Sequence, residues 1–166
     1  MSILWSYFWP CFAIGLLVGG PIGTIAYRRP TRRKAALAIG AFLTLVLSAL
    51  WHGPLGGADR LASAIEQKAR IVLVKNDAPA GIVARAQHGP LSRRLILFGP
   101  GDDFQRGEAA RLLSEIPGVS DAGWSRSSAV PLIVEGLATA IIGFLFGLAL
   151  AYLVDLRRRS NAQWTW

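Results

Sequence analysis

Three long apolar runs, two of them bordered by clustered arginines, constrain this chain more than any other feature. Ile3–Tyr27 is 25 residues without Asp, Glu, Lys or Arg; Ala35–Trp51 is 17; Ala129–Val154 is 26, with Glu135 as its single charge. A bilayer-spanning helix needs about 20 mainly apolar residues, with about 17 at the lower end. The segmentation predicted is a first transmembrane helix over 1–27, a basic loop over 28–34 and a second helix over 35–53. An extramembrane domain follows over 57–126, then a third helix over 129–154 and a tail over 155–166.

The formal net charge is +8. As a bulk property this suggests an acidic polymer as partner, but its distribution does not. Residues 28–34 carry +5 and the tail after Val154 carries +2, whereas residues 59–126 hold ten basic and eight acidic side chains. Basic clusters against the ends of apolar runs orient membrane proteins with those clusters on the cytoplasmic side. The expectation is a multi-pass protein of the bacterial inner (plasma) membrane. Its N-terminus and residues 53–128 would be periplasmic and its C-terminus cytoplasmic. Nucleic acid drops out as a partner. Trp5, Trp9, Trp51 and Trp124 fall towards the outer ends of the runs and Tyr27 and Tyr152 at the inner ends, as in an aromatic belt. Trp164 and Trp166 are placed to anchor the tail at the inner interface. The first run lacks the basic start and short apolar core of a signal peptide. Bulky Phe8, Trp9 and Pro10 before Cys11 argue against a lipoprotein site, leaving Cys11 as an apolar helix residue.

Small residues recur every four positions in two runs: Gly15, Gly19 and Gly23 in the first, and Thr139, Gly143, Gly147 and Ala151 in the third. Such stripes let helix backbones approach closely. They point to helix packing within the chain, with a second copy or with other membrane proteins. Pro21 predicts a kink, and Pro10 a break or the start of the regular helix. Glu135 lies about a turn and a half inside the third run, an ionisable group of the kind that marks functional sites in membranes. His52 ends the second run on the same side, so the two could form an intramembrane polar pair.

Between the second and third runs the pattern changes. Asp59 is placed to cap a helix to about Arg70, with Leu61, Ile65 and Ala69 on one face. IVLV over 71–74 reads as a short strand, Asn76–Ala80 as a turn, and Gly81–Ala86 as an alternating strand. His88–Ser92 is a turn and Arg94–Phe98 the clearest strand. Asp102 with Gln105 forms a capping box for a helix to Ile116, with Ala109, Leu112, Leu113 and Ile116 inward. Pro117-Gly118 ends it, and Val119–Trp124 returns as a short strand. The fold class expected is therefore a membrane α-helical protein of three transmembrane helices. A small α+β sandwich is inserted between helices 2 and 3.

Residues about 59–124 resemble the BON domain family. The resemblance lies in Leu95-Ile96-Leu97-Phe98-Gly99, a strand ending in Gly; in Asp102 through Ile116 as the second helix; and in Pro117-Gly118-Val119 leading into a strand. The first half departs, with a longer HGPLS connection and no Asp-Gly before the main strand. The resemblance implies a cell-envelope module that associates with phospholipid or other envelope proteins, without catalysis.

The sequence offers no active site, cofactor site or metal site. His52 and His88 are 36 positions apart and no His/Cys cluster has ligand spacing. Ser125, Ser127 and Ser128 lack a nucleophile elbow. Asp102 and Asp103 suit a helix start, and as carboxylates they spoil GPGDD as a phosphate cradle. Arg93 and Arg94 could meet lipid headgroups or simply solvate a turn. The reading is a non-enzymatic inner-membrane scaffold that presents a periplasmic BON-like domain to lipid or protein. An alternative is an accessory subunit of a respiratory, photosynthetic or transport complex, packed through the glycine faces. A transporter or channel is a third reading.

Overall fold

The computed structural model describes residues 3–79 and 81–163. The chain is mostly helical, with a small three-stranded sheet and three helices long and apolar enough to cross a membrane. The order is α1 (Ile3–Arg28), a 3-10 turn at Pro30–Arg32, α2 (Arg33–His52), α3 (Gly57–Lys75), β1 (Val83–Ala86), β2 (Arg94–Phe98), α4 (Asp103–Ser114), β3 (Asp121–Gly123) and α5 (Leu132–Gln163). Two compact units result. One comprises Phe8–Leu55 with Gly136–Trp166; the other comprises Met1–Tyr7 with Gly56–Glu135. The second unit is thus wider than 57–126, since it takes in the first turns of α1 and α5. The tail anchor expected at Trp164 and Trp166 lies outside the described residues, as does Ala80 of the expected turn.

The first unit is a three-helix bundle. α1 runs unbroken through Pro10 and Pro21, so Pro10 neither starts nor interrupts it. Its glycines meet α5 in ascending order: Gly15 lies against Ala140 and Phe144, Gly19 against Phe144 and Gly147, and Gly23 against Leu148 and Ala151. Gly143 in turn lies on Phe12 and Gly147 on Leu16. The two helices therefore run parallel, in near-backbone contact. α2 contributes a stripe of its own, burying Ala36, Gly40, Thr44 and Ser48 at every fourth position. Gly40 sits under Ile22 and Phe144. The Thr44 hydroxyl donates to the Gly40 carbonyl at 2.9 Å, which removes the cost of burying it. Cys11 is fully buried. α5 extends past the expected end at Val154, and Arg159 pairs with Asp155 one turn earlier at 2.7 Å.

In the second unit β1 pairs antiparallel with β2, and β2 pairs parallel with β3, giving the order β1-β2-β3. Leu95 and Leu97 of β2 are 0% and 1% exposed and anchor a core with Leu61, Ile65, Leu73, Ala109 and Leu113 from α3 and α4. The expected strand over 71–74 is instead the last turn of α3. Leu61, Ile65, Ala69 and Leu73 form one continuous buried stripe at helical spacing, and extending that stripe outweighs the β-branched preference of Ile71, Val72 and Val74. Gly56, in the left-handed region at φ 69°, starts this helix in place of the expected cap Asp59, which lies in its first turn.

The capping box at α4 is complete. The Gln105 amide donates to Asp102 at 2.7 Å, and the Asp102 amide donates to the Gln105 side chain at 3.1 Å. Asp102→Ala is expected to cost about 1 kcal/mol. Equilibrium unfolding of the purified protein, followed by a probe on α4, measures this; an unchanged midpoint would contradict it. Farther along α4, Arg111 bridges Glu108 and Glu115, and its hydrogen bond holds the Glu108 carboxyl below its ordinary range.

Candidate functional site

Two arrangements in the α+β unit concentrate polar chemistry. The first is a clamp around Glu135. Arg93 precedes β2 and donates from Nε to one Glu135 oxygen at 2.7 Å and from Nη2 to the other at 2.9 Å. Both side chains are about one quarter exposed, at 24% and 22%. A bidentate guanidinium–carboxylate pair at that burial fixes orientation as well as charge. The backbone around it is tied in the same sense. Leu132 donates to the Leu91 carbonyl at 2.8 Å, Ser120 to the Arg93 carbonyl at 3.0 Å, and the Gln87 amide side chain to the Ser127 carbonyl at 3.0 Å. Tyr7, 1% exposed, donates its hydroxyl to the Leu132 carbonyl at 3.4 Å. Glu135 thus stitches the start of α5 to the sheet. His52, its expected partner, is the last residue of α2. Nothing local in the sequence signals the Arg93 pairing, because 42 positions separate the two residues.

Arg94, the next residue, pairs with Asp121 across the β2–β3 register and donates to the Ser125 carbonyl at 3.2 Å. Both arginines therefore serve the domain's internal order. Trp124, expected towards the outer end of the third run, packs against Arg106 of α4. Its indole N–H donates to the Arg106 carbonyl at 3.1 Å and the Arg106 guanidinium lies 5.1 Å from the ring centre.

The second arrangement is a groove between α3 and β1, with a volume of about 640 Å³. Glu66, Gln67 and Arg70 line the α3 side, and Ala84, Arg85 and His88 the strand side. β1 is an edge strand. Gln87 bonds to Arg94 of β2 at 2.9 Å, so by alternation Ala84 and Ala86 turn their backbone N–H and C=O outward. Glu66 accepts the outward Ala86 N–H at 2.8 Å, and the His88 ring Nδ1 lies 2.8 Å from the Ala86 carbonyl oxygen. The sequence pattern places β1 as a strand but does not reveal this groove, which depends on sheet order and on the full length of α3.

Among the described residues no three His, Cys, Asp or Glu side chains come together as metal ligands. No protein-family model matches the sequence, and no curated protein or solved structure is significantly similar to it.

Proposed function

We propose that this chain is a non-enzymatic inner-membrane protein that holds a periplasmic BON-like α+β domain as a binding module for lipid or envelope proteins. One observation carries the membrane part: the bundle is apolar on the outside and small or polar on the inside. Phe42, Ile39 and Leu17 are 67%, 62% and 72% exposed, while Thr44, Ser48 and the stripe glycines are buried. In water that arrangement forfeits the hydrophobic driving force; in lipid it is the expected one, because small residues bring helices together and large ones face the tails. The module reading is supported by the helix–strand–strand–helix–strand order from α3 to β3. It is also supported by Gly99 and Gly118, two positions of the family resemblance, which adopt φ 128° and 112°, where a side chain is strained. The glycine stripes of the accessory-subunit reading are used up within the bundle, which favours the module.

Photo-crosslinking in native membranes tests this. Probes at exposed Phe98 and Phe104 of the full-length protein should recover the same lipid class or envelope protein from both positions. Unrelated adducts at the two positions would count against a binding module.

A further inference from the structure

We propose that the groove between α3 and β1 binds a short, extended, acidic peptide segment of a partner protein, which adds to the free edge of β1. This rests on the binding-module reading and names the partner class and the site. An unprotected strand edge offers backbone donors and acceptors at fixed spacing and is a recurrent docking rail for extended peptides. Here the rail is half closed. Glu66 and His88 occupy the Ala86 end. The Ala84 N–H and C=O face the groove from a strand that has no neighbouring strand on that side among the described residues. Glu66 shows what suits the rail, since a carboxylate oxygen already accepts one of its outward N–H groups.

Charge selects the ligand. Arg70 and Arg85 flank the groove, both exposed, and neither has an ion-pair partner among the described residues. The groove's own carboxylate, Glu66, is engaged by the backbone. Two free guanidinium groups beside an edge donor favour carboxylate side chains on a strand running along β1. Arg85 points to the opposite sheet face from Ala84, so the peptide's acidic residues would alternate between meeting Arg85 on one face and Arg70 on the other. A strand of only four residues limits the contact to a few backbone bonds, so the peptide is short and the side-chain charges decide specificity.

The test uses the full chain in nanodiscs and a displayed library of random twelve-residue peptides. Selection should enrich Asp and Glu in alternating patterns. Binding of a selected peptide should fall at least tenfold in Arg70→Glu/Arg85→Glu, with an unchanged circular dichroism spectrum expected because both positions are exposed. Ala84→Pro, which removes the outward N–H but no β1–β2 bond, should weaken it similarly. Vesicles of phosphatidylglycerol should not compete. Enrichment without acidic bias, binding indifferent to the arginine changes, or competition by the vesicles would each overturn the proposal. A common crosslinked partner in native membranes, with no acidic peptide selected, would overturn the groove and leave the binding-module reading standing. Acidic peptides selected in the groove, with no common partner in membranes, would do the reverse.

Discussion

Replacing Gly143 and Gly147 together by leucine is expected to destroy the fold of the helix bundle rather than to detach the protein from a partner. A β-carbon at Gly143 overlaps the Phe12 carbonyl, and one at Gly147 overlaps the Leu16 carbonyl and the Gly20 amide. The obstructing atoms are backbone, which cannot rotate aside. The helices must separate, and the contacts along the α1–α5 seam are lost with them. Overpacking a tight core costs about 1–3 kcal/mol per site when side chains can yield; two sites against backbone should together exceed about 3 kcal/mol. Thermal unfolding in detergent should show a drop in Tm of the bundle. Leucine at Gly20, where a β-carbon meets nothing within 4 Å, should be tolerated. A stable double variant would mean that α1 and α5 do not pack through this seam.

The second large effect is at the clamp. Arg93→Ala removes both guanidinium hydrogen bonds from Glu135, whose side chain is 22% exposed. Removing one member of a fully buried pair costs about 3–5 kcal/mol. Partial exposure here reduces that to about 2 kcal/mol. The loss should be local at first. Hydrogen exchange at the amides of Leu132 and Ser120, which bond to the carbonyls of Leu91 and Arg93, should accelerate more than at Leu97 in β2. Arg93→Leu/Glu135→Leu should recover most of the stability, because the largely buried carboxylate is then removed together with the guanidinium. If the double variant is as unstable as the single one, packing of the arginine stem, rather than charge, holds this junction.

How much of this was legible in the sequence depends on the range of the interactions. β2, with its Leu95 and Leu97 face, and the Asp102–Gln105 capping box are signalled within five residues, and the structure follows both. The 71–74 segment shows two local signals in conflict. Its β-branched residues favour a strand, while Leu73 continues the stripe of Leu61, Ile65 and Ala69, and burial against the sheet decides for helix. The α2 stripe of Ala36, Gly40, Thr44 and Ser48 was readable in principle at the same four-residue spacing as the two glycine stripes. The candidate sites were not. Arg93 finds Glu135, and Glu66 finds Ala86, only after the chain has folded, since neither spacing is local. Glu135 stood out in the sequence as a charge in an apolar run, and its role became apparent only with its partner.

The proposed topology puts residues 57–126 and the basic loop 28–34 on opposite faces of the membrane. Single cysteines at Ser125 in the domain and Thr31 in the loop test it, read out with a membrane-impermeant maleimide on spheroplasts. Native Cys11 is 0% exposed and should remain silent in both. Position 125 should be labelled in intact spheroplasts and position 31 only after lysis. Labelling at position 31 before lysis, with position 125 protected, would invert the topology and contradict the periplasmic binding module.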